Sequence, residues 1–432
     1  MRKKFLFTVM LTIAFCFSLV LVVSAGQPTA KDLVMTAVKN IDFGINKGFY
    51  EKCQGESHLT LTKFDGSLLE EAGDFAGAKV DFLTQLDNPN NAIKVDYNAS
   101  IKGNTHKGAV YLKDDKLILT RDILGLLQEF GIDDASLSMD KAPAYLYLSN
   151  EQLGSIWEQV AAYQNQQVPQ EYKDMLLFIV EAVPEEYFSI SSAKVVVKLD
   201  QAGFETTIFN LLTKIKNEPE RIADIIVNAN KYNCEQLDTT PAEMRQEIIS
   251  GIEDATFPTR EEIKTISSFL EVEDFTYEKS ILPGGPQKFN VRLNIKTPDD
   301  SVNGRFTMAV DTVGDQENKE GSYQITGGFD LVDGPKIDFA FDADYNYQDT
   351  VAYSGGSINV TAKDNTTGES MLDLGLTSDS VSEVDDSLVI TAPVLTSDNS
   401  MDITGLISSF DQAVDVQATD VGEPVSDQAA DE

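Results

Sequence analysis

The stretch 336–348, KIDFAFDADYNYQ, alternates without a break: Ile337, Phe339, Phe341, Ala343, Tyr345 and Tyr347 stand against Asp338, Asp342, Asp344, Asn346 and Gln348. A period of two over that length describes a β-strand with one face in a core and the other in water. Phe339 and Phe341 are therefore expected to be buried, and Asp342 and Asp344 exposed. The flanking sequence repeats the pattern at 272–281, 288–296, 305–313, 321–331, 357–363, 370–377 and 387–392. Gly284-Gly285, Asp299-Asp300, Asp333-Gly334 and Gly355-Gly356 supply turns between them. A large antiparallel meander follows.

A second run of strands lies upstream. His58–Phe64, Val80–Leu86, Ile93–Ile101, Ala109–Lys113 and Lys116–Thr120 alternate in the same way, and Asp87-Asn-Pro-Asn-Asn91 is a strong turn cluster. Ahead of them Ala30–Ile41 carries the apolar stripe of a helix, with Thr29 as N-cap. Between the two runs the period changes to that of helices. Ser149-Asn-Glu-Gln152 reads as a capping box opening a helix through Trp157 to Tyr163, and another covers 170–182. Helical spacing returns at Ile208–Ile215 and Ile222–Ile226, and Thr240 and Thr259 each precede an acid three residues on. The fold class is thus α+β: one or more large antiparallel β-meander sheets with a helical insertion packed on the apolar face. The expected division is 1–25 signal peptide, 26–145 helix plus meander, 146–270 mostly helical, 271–395 second meander, and 396–432 an acidic, largely disordered tail.

Composition points outward from the cell. Arg2, Lys3 and Lys4 precede the apolar run 5–23, and Val23-Ser24-Ala25 offers small residues for cleavage before Gly26. The alternative is a retained anchor, since the run is nearly long enough to span a bilayer. Cys16 lies inside the run and no Cys follows the small residues at 24–26, so a lipid-bearing cysteine is not expected. The chain is expected to be secreted or extracytoplasmic, and not integral to a membrane after cleavage. The formal charge is −36, and losing residues 1–25 leaves 31 basic residues against 70 acidic ones, a formal −39. Such a charge argues against nucleic acid as a partner.

Few residues suggest chemistry. Cys53 and Cys234 are the two cysteines after the leader, and an oxidising compartment allows a disulfide between them as readily as two separate thiols. His58 follows Cys53 by five residues, but neither it nor His106 has further ligands nearby for a transition metal. No nucleophile elbow or reactive-cysteine motif accompanies these histidines, so no catalytic, cofactor-binding or metal-binding residue is nominated and the chain is read as non-enzymatic. Asp342-Ala-Asp344-Tyr-Asn346 imitates the start of a calcium loop. Tyr347 stands where that loop needs glycine and Tyr353 where it needs glutamate, so the acids read as a strand's wet face. Weak Ca2+ binding between strand-end loops, at Asp299-Asp300 or Asp385-Asp386, remains an option for the hard-cation preference of carboxylates.

The order of elements, with Thr29–Ile41 leading into the strands of 49–120 and the strands of 272–392 returning after helices, resembles the bacterial lipoprotein-carrier architecture of LolA-, LppX- and LprG-like proteins. The resemblance implies a curved sheet enclosing an acyl-chain cavity beneath its helices. It carries over no ligand residue. The expected function is an exported, non-enzymatic binding protein of the cell envelope or extracellular space, holding a hydrophobic ligand, a lipid among them, or an envelope partner. The alternative is an acidic surface, matrix or adhesion protein without a small-molecule ligand.

Overall fold

In the computed structural model the alternating stretch forms Pro335–Gln348, the thirteenth of sixteen strands in one open sheet. The structure describes residues 29–40, 46–72, 75–129, 139, 141–149, 153, 157, 170–230, 239–297, 301–315, 317–332 and 334–404. Along the chain come α1 (Ala30–Lys39), the single-turn α2 (Gly48–Glu51), β1 (Lys52–Asp65), β2 (Lys79–Asp87), β3 (Ala92–Ile101), β4 (Asn104–Lys113), β5 (Lys116–Thr120), α3 (Ile123–Glu129) and β6 (Tyr145–Ser149). The middle adds α4 (Gln170–Ala182), β7 (Phe188–Ser191), β8 (Lys194–Lys198), α5 (Gln201–Asn217), α6 (Pro219–Asn230), α7 (Pro241–Asp254) and α8 (Arg260–Ser267). The long strands follow: β9 (Leu270–Ser280), β10 (Gln287–Lys296), β11 (Val302–Gly314), β12 (Asn318–Leu331), β13 (Pro335–Gln348), β14 (Val351–Asp364), β15 (Ser370–Val384) and the short β16 (Ser400–Asp402).

The two expected meanders are one sheet. Its order is β16-β6-β5-β4-β3-β2-β1-β15-β14-β13-β12-β11-β10-β9-β8-β7. They join where β1 runs antiparallel to β15, from Cys53 opposite Val384 to Asp65 opposite Asp373, with a register shift between Leu61 and Lys63. Apart from this pair and β16 beside β6, the pairings join neighbours in sequence, the low-cost solution for short connections.

Side chains sort onto the two faces by this register. Helices sit on the apolar face at its two flanks. At the β7 end α1, α4 and α5 cover Val197, Phe275, Tyr277, Phe289, Val291 and Val310, and Tyr277 and Phe289 are wholly buried. The rings of Phe275 and Phe289 meet edge-on at 5.5 Å. Burial of each such side chain contributes about 1.5–3 kcal/mol, so this layer anchors the fold. At the other flank α3 and the turn at Phe75 lie on Tyr97, Ala99 and Ile101. Thr29, Thr240 and Thr259 each close a full capping box, with Asp32, Glu243 and Glu262 reaching back to the cap.

Several expectations need correction. Phe339 and Phe341 are half-buried rather than buried, because they lie at mid-sheet and belong to neither packed layer. Asp344 is exposed as expected, while Asp342 is half-buried. Residues 387–392 are not a strand. They form an irregular segment that seats Leu388 and Ile390 on Ala92, and the Ile390 amide donates to the buried Asp87 carboxylate at 3.3 Å. The sheet also reaches into the stretch read as tail, since β16 adds to β6 in parallel. Helix α3 and strand β6 were not foreseen. The helix expected from Ser149 to Tyr163, the leader, Cys234 and residues 405–432 lie outside the described residues, apart from Ser149, Leu153 and Trp157. Trp157 is buried, and its indole N–H donates to the Asp114 carbonyl at 2.8 Å.

Candidate functional site

Between the two helical flanks, strands β13, β14 and β15 present their apolar face outside the buried clusters, while Leu61 and Phe64 of the adjoining β1 pack against the Phe75 cluster. Cross-strand partners share a face. One row runs Phe341, Ile358, Leu376, Leu61, and the next runs Phe339, Val360, Leu374, Phe64. Of these, β13–β15 contribute six side chains that belong to none of the buried clusters. Ile358 keeps 38% of its surface in water, which is a large exposure for an isoleucine in the middle of a sixteen-stranded sheet.

Farther along the same strands the face changes. The row after Phe341 holds Ala343, Gly356 and Ser378, and the next holds Tyr345, Ser354, Ser380 and Ser57. Ser354 and Ser378 are exposed, and the Ser354 and Ser380 hydroxyls share a hydrogen bond of 2.7 Å. Small side chains over three adjacent strands make a low floor. Aromatic rings stand on both sides of it. On one side Tyr323 and Tyr345 stack at 5.9 Å; on the other Phe82 and Tyr97 are register partners. The Tyr345 ring can lie flat because its partner is Gly321, where a β-carbon would fall 2.6 Å from the ring. Phe339 covers Gly327 in the same way, at 2.3 Å. Helix α2 closes one end of this trough. There the Asn46 amide donates to the Tyr347 hydroxyl at 2.8 Å, and the rings of Phe49 and Tyr347 meet edge-on at 5.6 Å.

Charge is divided between the faces. Within the strands, register puts the acids on the opposite, polar face, apart from Glu273 in the β9 bulge and Asp364 at the end of β14. The strand cations follow them to the polar face with two exceptions, Lys279 on β9 and Lys319 on β12. Burial pulls the Lys279 ammonium down to about 8, and the nearby Lys319 charge pushes it the same way. Burial raises the phenols of Tyr323 and Tyr345 above their ordinary range, so both stay neutral donors.

The residues considered for metal or nucleophile chemistry are kept apart. Cys53 and His58 fall on opposite faces of β1. The Cys53 thiol is pushed up to about 11 by burial and donates to the Phe49 carbonyl at 3.3 Å. Its proposed partner Cys234 lies outside the described residues. His58 Nδ1 sits 2.8 Å from Asp81 on the polar face, while His106 Nε2 sits 3.1 Å from Glu129 on the apolar one. Among the described residues no three His, Cys, Asp or Glu side chains are grouped to hold a metal. Asp385, considered for Ca2+, instead accepts from the Ser387 amide and hydroxyl, and those bonds hold its carboxyl below the ordinary range. Asp299-Asp300 lies outside the described residues. Two open clefts, of about 730 and about 670 Å3, are lined by charged groups such as Glu171 and Arg221 in the first and Lys296 and Arg305 in the second. The second cleft also carries Phe269 and Phe329 in its wall. The signal for the trough was present in the sequence as the serines and glycines of β14 and β15, but without register they could not be assigned to one face.

No family model and no curated protein matches the chain. Among solved structures it is similar to a bacterial polysaccharide outer membrane secretin, at 8% identity over 78% of this chain and 99% of that one, with a TM-score of 0.17. It is also similar to OccAB3 of Acinetobacter baumannii (8% identity, 77% and 98% covered, TM-score 0.13) and OccK5 (OpdH) of Pseudomonas aeruginosa (10% identity, 77% and 96% covered, TM-score 0.12). TM-scores of this size carry no argument. No helix among the described residues is long and apolar enough to cross a membrane.

Proposed function

We propose that this chain is an exported, non-enzymatic binding protein that holds a hydrophobic ligand in the trough on the helix-bearing face of its sheet. The observation that carries the reading is the apolar strip of β13–β15 left outside both packed layers, with Ile358 open to water at mid-sheet. Exposed apolar surface on a soluble protein marks a binding site more often than an accident of folding. The chemistry needed is burial of apolar surface on a preformed floor, without bond making. The ligand site lies beside the helices rather than beneath them, because Phe204, Phe275 and Phe289 already fill the space under α5.

The polar face favours a second reading, as an acidic surface protein. Asp338, Asp344, Asp379 and Asp81 stand exposed there. Native mass spectrometry of protein purified from a bacterial host separates the two. The binding reading expects a co-purified lipid-sized adduct that Ile358→Asp abolishes. A homogeneous apo mass, together with no uptake of the neutral apolar dye Nile red, would leave the surface reading.

A further inference from the structure

We propose that the trough takes a single-chain amphiphile with an anionic headgroup, the headgroup docking between Lys279 and Lys319 and the chain running over Tyr323 and Tyr345 onto Phe341 and Ile358. This rests on the trough being a hydrophobic site. The first support is where the cations stand. The chain carries a formal −36, yet the only Lys or Arg that the described strands place on the apolar face are these two. Lys279 makes no hydrogen bond or ion pair with any described residue, although 70 acidic residues are available in the chain. Its strand neighbour is the apolar Val195, and its row continues through Gln287, Thr312 and Gly321 to Tyr345.

The second support is direction. Along β12 the apolar face reads Lys319, Gly321, Tyr323, Ile325, Gly327, and its partners on β13 read Tyr347, Tyr345, Ala343, Phe341, Phe339. Polarity falls from the ammonium through three phenols to aliphatic and phenyl groups. Eight residues at about 3.4 Å each span about 27 Å, enough for an extended long acyl chain. The half-buried Lys279 ammonium, with no ion pair to a described residue, is costly in the free protein, and an anion supplied by the ligand removes that cost. Carboxylate and phosphate monoester heads share this chemistry.

The test uses displacement of Nile red from the purified chain by palmitate, hexadecyl phosphate, hexadecanol and hexadecyltrimethylammonium at one ionic strength and pH 7. Wild type should bind one or both anions about tenfold or more tighter than hexadecanol, the order expected for a charge-assisted contact. Whichever anion leads identifies the head. Lys279→Gln should bring the anion within about twofold of hexadecanol, and a cooperative urea transition reports that the variant is folded. Equal binding of anion and alcohol by wild type overturns the headgroup inference and leaves the hydrophobic site standing. An anion preference that survives both Lys279→Gln and Lys319→Gln also overturns it. No displacement by any of the four, or a dimer by sedimentation that covers the strip and excludes the dye, would overturn the hydrophobic site itself.

Discussion

Replacing Lys279 by methionine should make the free protein more stable. Burial lowers the Lys279 ammonium from an ordinary 10.5 to about 8, with Lys319 adding to the effect. At 1.36 kcal/mol per pH unit that gap corresponds to about 3 kcal/mol, and the hydration retained by the side chain reduces it to ~1–3 kcal/mol. The sign follows from linkage. Between about pH 8 and 10.5 the unfolded chain holds a proton at this position that the folded chain has released, so stability rises with pH in that window. Below about pH 8 both states hold the proton and the folded state bears the full cost. Lys279→Met keeps the volume of the aliphatic stem and removes the charge. Urea unfolding of wild type and variant at pH 7, 9 and 10.5 should show the variant ahead by ~1–3 kcal/mol at pH 7, with the gap closing by 10.5. A variant less stable at pH 7, by an amount independent of pH, would mean that Lys279 has a satisfying partner in the free protein and would refute the reasoning.

Other expectations follow from the same geometry. Phe341→Ala should cost ~1–3 kcal/mol in denaturant unfolding, below the range for a fully enclosed ring, and Asp344→Ala should stay within about 0.5 kcal/mol of wild type. Gly327→Ala places a β-carbon 2.3 Å from the Phe339 ring, so the ring must leave its seat, at a cost of ~1–3 kcal/mol by the same unfolding measurement. Because burial holds the Cys53 thiol at about 11, alkylation of the reduced folded protein by iodoacetamide at pH 8 should run at least about tenfold slower than in urea. Equal rates would show that the thiol is open to solvent.

Alternation at 336–348 made the strand legible, and period-two runs with glycine and aspartate turns made most of the sheet legible with it. The caps at Thr240 and Thr259 were equally plain, because a capping box is a local device. Burial at Phe339 was not legible. Alternation tells which side chains share a face but not whether another layer covers it, and here the longer helices stop at the flanks while only the single-turn α2 reaches mid-sheet. The weak tail of the sheet was missed for a related reason: β16 is only three residues long and owes its place to β6, which is distant in sequence. Lys279 and Lys319 looked like ordinary charged positions in alternating strands. Only the β9–β10–β11–β12 register shows that both stand on the apolar side.

The composition of the central face also argues against its being unfinished core. A face built to receive another protein layer would be apolar along its whole length, as it is under α1, α4 and α5. A face built for water would carry the acids that fill the opposite side. The strip on β12–β15 does neither, since it passes from Lys319 through Tyr323 and Tyr345 to Phe341 and Ile358, with Gly356, Ser354, Ser378 and Ser380 as its floor. Serine and glycine at neighbouring positions give up packing contacts that valine or isoleucine would supply in a sheet. Lys279, on the same face and with no ion pair to a described residue, gives up more. Both losses lie on one face, along one line, graded from charge to hydrocarbon. That order has no use in a structure that only fills its own core, and it is the order in which an amphiphile presents its parts.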